Sequence, residues 1–390
     1  MENSKDTSLF YVQIIFALIG AGLLAYLTQS SWALILGTSS GESACNIGTV
    51  FNCDAVSASK YGSLFGIPLA LFGALSYVAF LIQAISAQLT KTEDADNYSL
   101  LLSGILLGAS IVMGAISITS LNTYCLFCIL TYVASFIIFI ATYFKVGGID
   151  FSTMKESILA LFKRNKGSLG LFVAIPIMAW FVNEGAQGEA LKQFREMSSV
   201  AVADFKRDTA KTLEVPASVV IGASDEEAKY VITEYADFLC GHCKNAAPTL
   251  KAFVYSKTDV QLRFKNFPLS NACNDDVGAP DRGSCRLAAT VDCAERLHKK
   301  GEPVLKELFR KQGEYTTANA VNGVSKLFQL DEAKMNLCVN SDETLERLKA
   351  QAKEGIEAGV KGTPTVFVNG KKIRFGARLP FLEAIYRSME

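Results

Sequence analysis

Tyr230-Val-Ile-Thr-Glu-Tyr-Ala-Asp-Phe-Leu-Cys240-Gly-His-Cys243-Lys-Asn-Ala-Ala-Pro248 is the stretch from which the rest of the chain can be read. Tyr230 to Phe238 is rich in apolar and β-branched residues and predicts a strand. Lys244 to Tyr255 predicts a helix. A cysteine at the turn between them sits at a helix N-terminus, where free N–H groups and the helix dipole favour a thiolate. Cys243 lies one turn on and can close a disulfide with Cys240, so the pair can cycle between dithiol and disulfide. The residues between them tune the potential: Gly241 permits the tight turn, and His242 can stabilise the thiolate. Half of a zinc site is the alternative, but no second C-x-x-C lies in this part of the chain.

Outward from this stretch the composition divides. The chain has 390 residues, 50% of them hydrophobic, and its 38 basic residues balance its 38 acidic ones, so nothing points to nucleic-acid binding. The second half reads as a soluble domain, while long uncharged runs crowd the first. Leu9 to Leu27, Leu64 to Leu89, Tyr98 to Leu121 and Tyr124 to Phe144 each approach the length of about 20 residues that crosses a bilayer. The first run is too long for a signal peptide, and further spans follow it. A fifth run, Leu169 to Val182, is short and holds Pro176; it is either a span or a buried soluble helix. Lys163, Arg164 and Lys166 before it and Trp180 near its end favour a span. The segment from Lys145 to Lys166 is basic, carrying Lys145, Lys155, Lys163, Arg164 and Lys166 against Asp150 and Glu156. The loop from Gln29 to Ser63 has only Lys60. The positive-inside rule puts the N-terminus and the basic loop in the cytoplasm. Five spans then place everything after Val182 outside; four would leave Cys240 in the reducing cytosol.

Ten cysteines, mostly paired, suggest an oxidising compartment. Cys45 and Cys53 fall in the first outer loop. Cys125-Leu-Phe-Cys128 falls at the outer end of the fourth span, where residues three apart share a helix face and can form a disulfide. These four could instead bind zinc, or simply pack the bundle. Two pairs on one face of a membrane and a third on a tethered domain read as an exchange relay. A dithiol gives up two electrons and two protons, and a lipid-soluble acceptor of both is a quinone. No Rossmann glycine pattern is present to bind a dinucleotide.

The segment Cys45-Asn-Ile-Gly-Thr-Val-Phe-Asn-Cys53-Asp-Ala-Val-Ser-Ala-Ser59-Lys-Tyr-Gly-Ser-Leu-Phe-Gly-Ile-Pro68, with Cys125-Leu-Phe-Cys128-Ile-Leu-Thr-Tyr132, resembles the bacterial members of the vitamin K epoxide reductase family. The resemblance implies a four-helix transmembrane bundle around a quinone, ubiquinone or menaquinone. It implies that Cys45 and Cys53 shuttle electrons to Cys125 and Cys128, with Cys128 meeting the quinone. Ser59 takes the place of the family's loop serine, and Tyr132 that of a tyrosine able to hydrogen-bond a quinone carbonyl. The asparagine that some animal members carry on the second span has no clear counterpart.

From about Val215 the chain is similar to the DsbA-like branch of the thioredoxin superfamily. Val260 to Phe267 predicts the next strand, and Ser284 to Gly359 a helical insertion. In Val360-Lys-Gly-Thr363-Pro364-Thr-Val-Phe-Val-Asn-Gly370, a strand leads to an Asn369-Gly370 hairpin. Pro364 is expected to be the fold's cis-proline, with the Thr363 backbone free to pair with an extended peptide beside Cys240. Cys240 is then the attacking cysteine and Cys243 the resolving one. Cys273, Cys285, Cys293 and Cys338 suggest structural disulfides, the first with the second and the third with the fourth. Two histidines exclude a His-based hydrolase or metalloprotease in practice.

The expected organisation is a four-helix bundle over residues 1–148; a cytoplasmic loop, fifth span and connector over 149–214, with Ala190 to Lys211 helical; and an α/β thioredoxin fold with helical insertion over 215–390. The expected activity is that of a multi-pass thiol oxidase of the bacterial inner membrane. Its thioredoxin-like domain would lie on the periplasmic side and take electrons from reduced exported proteins to the membrane quinone pool. An isomerase or reductase stays open, since C-G-H-C resembles the dipeptide of protein disulfide isomerase, as does a non-enzymatic redox sensor.

Overall fold

The computed structural model describes residues 2–39, 41–47, 51–121, 123–148 and 166–389. Four of its helices are long and apolar enough to cross a membrane. They are α1 (Glu2–Leu36), α3 (Leu69–Thr90), α4 (Glu93–Ser120) and α5 (Leu126–Val146). Local chemistry sets their ends. Thr92 caps α4 by accepting from Ala95 N, and Glu93, Asp94 and Asp96 fill the positive first turn. Gly147, with φ 84°, terminates α5 in the left-handed conformation. Ala17, Tyr77, Phe80, Leu106 and Ile138 form the buried core between these helices. Gly20 permits close approach, because a Cβ there would meet the Tyr77 ring at 2.5 Å. Polar groups inside are paired across helices: Gln13 Nε2 donates to Thr142 Oγ1 at 2.8 Å, and Tyr77 OH to Thr131 O at 2.8 Å. The outer surface stays apolar, with Leu18, Ile111, Ile118 and Phe144 more than half exposed, as a lipid-facing bundle requires.

Between α1 and α3 lie the short α2 (Cys53–Ala58) and a hairpin of β1 (Ser63–Leu64) and β2 (Ile67–Pro68). The second expected span therefore starts five residues later than its apolar run. The fifth apolar run lies on α6 (Lys166–Arg207), which continues unbroken through Pro176. The connector expected after Val182 is largely this same helix. Strong helix formers (Ala, Glu, Gln, Lys, Arg, Leu and Met) make up more than half of it and no proline stops it, although Gly185 and Gly188 fall within it. Much of the basic loop used for orientation, including Asp150, Lys155, Glu156, Lys163 and Arg164, lies outside the described residues.

The chain divides into two compact units, residues 1–32 with 43–189, and residues 33–42 with 190–390. The second is built on β3 (Val219–Gly222), β4 (Tyr230–Ala236), β5 (Val260–Asn266), β6 (Thr365–Val368) and β7 (Lys371–Lys372), in the order β3-β5-β4-β6-β7. β4 and β5 run parallel, joined by the crossover helix α7 (Gly241–Tyr255). Asn369 and Gly370, with φ 46° and 76°, turn β6 into β7. Between β5 and β6 stand α8 (Ser284–His298), α9 (Gly301–Arg310), α10 (Ala320–Phe328), α11 (Glu332–Val339) and α12 (Asp342–Glu357); α13 (Leu379–Arg387) closes the chain. Cys273 is bonded to Cys285, and Cys293 on α8 to Cys338 on α11, the pairing expected. Residues 33–42 join this unit through Glu42, whose carboxylate meets Lys251 at 2.7 Å and Lys306 at 2.5 Å. Burial alone would raise its pKa, but the two ammonium groups hold it below the usual value.

Candidate active site

In the second unit, β4 delivers Cys240 to the N-cap of α7, and Cys243 sits buried within the first turn. Both thiols are free. The bond between Thr363 and Pro364 is cis, and Cys240 Sγ lies 3.3 Å from Thr363 O. The structure thus brings Cys240, Cys243, Thr363 and Pro364 together. A hydrogen bond from the Cys243 thiol, with smaller contributions from Thr363 and the N–H groups of Cys243 and His242, lowers the Cys240 pKa to about 5 despite burial. Burial, followed by the Cys240 and Glu234 contacts, pushes the Cys243 thiol up. Two expectations change here. The His242 side chain is exposed, and it is the His242 backbone that serves Cys240. Gly241 has no positive φ and open space where a Cβ would stand, so the turn does not require glycine.

Three residues around this pair escaped the sequence reading. Glu234 on β4 is 1% exposed; burial and then the Cys240 charge push its carboxyl up to about 8. The available signal was an acid inside an otherwise apolar strand that ends at the cysteine. Asp237 accepts from Leu239 N and Leu269 N at 2.6 Å each and from Ser284 Oγ, fixing the turn below Cys240. Gln312, after α9, donates through Nε2 to Phe238 O and Cys240 O, each at 2.9 Å. No local pattern announces a residue 72 positions away.

In the first unit, Cys45 and Cys53 form a disulfide, so neither is free to ligate zinc. Asn52 caps α2 by accepting from Ala55 N at 2.9 Å. Its own N donates to Tyr124 O at 2.9 Å, tying the loop to the residue before Cys125. Cys125 is the N-cap of α5 and its Sγ accepts from Cys128 N at 3.2 Å. Cys45, Cys53 and Cys125 pack with Leu27 in one apolar cluster, with Cys128 at its edge. The four membrane-region cysteines are therefore assembled as one group.

A cavity of about 430 Å³ opens beside them, lined by Cys128, Tyr132, Ser57, Tyr61, Leu24 and Ile105 among others. Its size and apolar walls are those of a small-molecule site. Tyr132 lines it, and its hydroxyl has no hydrogen-bond partner among the described residues. Ser59 does not line it. The Ser59 hydroxyl donates to Val56 O at 2.7 Å and accepts from Tyr61 N at 3.3 Å, closing the end of α2. Ser57, two residues earlier, lines the cavity and its hydroxyl makes no hydrogen bond among the described residues. Cys128, Tyr132 and Ser57 thus place a thiol-bearing and two hydroxyl-bearing residues at the cavity wall.

Residues 11–143 match the model of the vitamin K epoxide reductase family, and residues 214–379 match a thioredoxin model. No curated protein is significantly similar to the chain. Among solved structures, oxidised BdbD from Bacillus subtilis aligns over 47% of this chain and 97% of its own, at 18% identity and a TM-score of 0.39. The thiol-disulfide exchange protein alpha-DsbA2 from Wolbachia pipientis aligns over 53% and 98%, at 18% identity and a TM-score of 0.38. DsbA2 from Pseudomonas aeruginosa aligns over 46% and 97%, at 25% identity and a TM-score of 0.36. The chain joins a vitamin K epoxide reductase family domain to a thioredoxin-fold domain, and it is a membrane thiol–disulfide oxidoreductase.

Proposed function

We propose that the chain is a quinone-dependent thiol oxidase that makes disulfides in exported proteins. The observation that carries this reading is the cluster of a closed pair, Cys45–Cys53, against an open pair, Cys125 and Cys128, at the wall of a cavity. A substrate thiolate attacks the oxidised Cys240–Cys243 bond, and its second thiol completes the substrate disulfide, leaving Cys240 and Cys243 reduced. The Cys240 thiolate then attacks the Cys45–Cys53 bond, and Cys243 releases the mixed disulfide. Glu234, with its carboxyl pushed up to about 8, is placed to take the Cys243 proton in its ionised form as that buried thiol attacks, so this step should quicken as pH rises toward 8. With Cys125 and Cys128 joined in a disulfide, the reduced loop pair attacks that bond and, by the same exchange, closes its own and leaves Cys125 and Cys128 as a dithiol. A quinone in the cavity would accept the two electrons and two protons of that dithiol. Tyr132 and Ser57 would donate to its carbonyls, and the apolar walls would exclude water.

The low Cys240 pKa favours the oxidase over an isomerase or reductase. Stabilising the thiolate stabilises the reduced form, which makes the disulfide a stronger oxidant. The thioredoxin-fold unit lies outside the cytoplasm in this reading, at the bacterial inner membrane, because only there do its disulfides persist. The fusion keeps the second exchange intramolecular, at an effective concentration on the order of millimolar.

The full-length protein, given a reduced unfolded protein, should reduce quinone steadily, and both Cys240→Ala and Cys128→Ala should abolish this. In Cys128→Ala a chemical oxidant should still oxidise Cys240. Quinone turnover that survives Cys128→Ala would refute the assignment.

A further inference from the structure

The relay asks the loop pair to open and close once per cycle, so something other than sulfur must hold the loop while the bond is open. The residues that follow each cysteine form such a hold. Asp54, next to Cys53, is 3% exposed. Its carboxylate accepts from Ser43 N at 2.9 Å, from Asn46 Nδ2 at 2.8 Å, from Ser30 Oγ at 3.1 Å and from Ser43 Oγ. Asn46, next to Cys45, accepts in return from Cys53 N at 2.8 Å through Oδ1. Ile47 N adds a bond to Phe51 O at 3.0 Å. Ser30 belongs to α1, Ser43 and Asn46 to the loop, and Asp54 to α2, so one carboxylate ties three segments. None of these bonds uses a sulfur atom.

We propose that Asp54 is the positioning residue of the loop pair. Its carboxylate keeps the loop closed in the dithiol state, so that Cys45 and Cys53 stay within re-bonding distance. This rests on the relay reading given above. Opening a disulfide normally releases the loop-closure constraint it imposed. Here hydrogen bonds to a buried charged acceptor, the strong kind, retain that constraint. Their removal lowers the effective concentration of one thiol at the other and makes the loop disulfide easier to reduce.

The test is the equilibrium of the full-length protein with glutathione at fixed pH, read by thiol trapping and mass analysis of the peptides that carry Cys45 and Cys53. In Asp54→Ala the constant for forming this disulfide should fall about tenfold, with the Cys240–Cys243 equilibrium unchanged as the internal control. Asp54→Asn, which keeps the shape and one acceptor, should fall about threefold and serves if the alanine variant does not fold. A loop equilibrium within twofold of wild type in the variants, whatever happens to melting temperature, would overturn the proposal and leave the relay standing. A wild-type loop pair that cannot be reduced until the protein unfolds would overturn both.

Discussion

Cys125-x-x-Cys128 and Cys240-x-x-Cys243 share a spacing and a position, since each begins at the N-cap of a helix. Their surroundings differ. Around Cys240 stand the Thr363 carbonyl, the N–H groups of the first turn, a buried acid and an exposed histidine. Around Cys125 and Cys128 stand Leu27, Phe127, the loop disulfide and an apolar cavity. The motif supplies two thiols one turn apart in both. In the proposed relay the neighbours decide which partner the thiols would meet: an extended peptide backbone in one case, a small apolar molecule in the other. Helix N-termini favour thiolates in general, so the motif alone would have made the two pairs equivalent.

The largest effect that would sharpen this contrast is the pH dependence of trapping at Cys240. Its pKa is lowered from 9.0 to about 5, so alkylation of the reduced protein should be half-maximal near pH 5. At that pH its thiolate fraction should exceed that of the unfolded chain by thousands. The linkage follows in sign. A thiol depressed in the folded state stabilises the reduced fold fully above the unfolded value near 9, and that contribution is lost as pH falls through about 5. Glu234 acts oppositely. Its raised carboxyl favours the fold below its ordinary value of 4.5, and this is lost as pH rises through about 8. Half-trapping of Cys240 near pH 9 would erase the difference in environment on which the two roles rest.

The next effect concerns the cavity. Tyr132→Phe should raise the quinone concentration needed for half-maximal rate about tenfold, and Ser57→Ala by several fold, the worth of one hydrogen bond each. Binding of a quinone to the Cys128→Ser protein, followed by fluorescence quenching, should weaken in parallel. Ser59→Ala should leave both readouts alone and lower the melting temperature, because its hydroxyl serves the end of α2. If Ser59→Ala weakens quinone binding and Ser57→Ala does not, the family serine is the ligand residue after all.

What was legible in the sequence follows from how each feature is encoded. The apolar runs, the cysteine spacings and the Thr363-Pro364 and Asn369-Gly370 signals are local, and they placed four long helices, three cysteine pairs and the final hairpin. Ser59 lies off the cavity because a motif position carries a residue type but not the direction of its hydroxyl; Ser57 lines the cavity from α2, which Ser59 only caps. Glu234 was present in the strand but reads as a solvated charge until the fold leaves it 1% exposed. The break between the fifth apolar run and its connector was expected where hydropathy falls, yet helix propensity carried α6 through to Arg207.

Gln312 is the smallest lever on the comparison. Nothing similar reaches over Cys125 among the described residues, whereas Gln312 draws the helical insertion onto the Cys240 turn by bonding two of its carbonyls. Cys240 O also accepts from Lys244 N at 3.2 Å, so the turn survives the loss of the amide. Gln312→Ala should therefore cost about 1–2 kcal/mol of stability, the worth of two neutral hydrogen bonds. A looser turn aims its N–H groups less well at the sulfur, so the Cys240 trapping curve should move upward by less than about one pH unit. Gln312→Glu, which cannot donate and brings a negative charge to the same carbonyls, should move it further in the same direction. A trapping curve that stays fixed in both variants would mean that the insertion holds the turn without tuning its sulfur. The two C-x-x-C sites would then differ through Thr363 and Glu234, since a first-turn N–H reaches the leading sulfur in both.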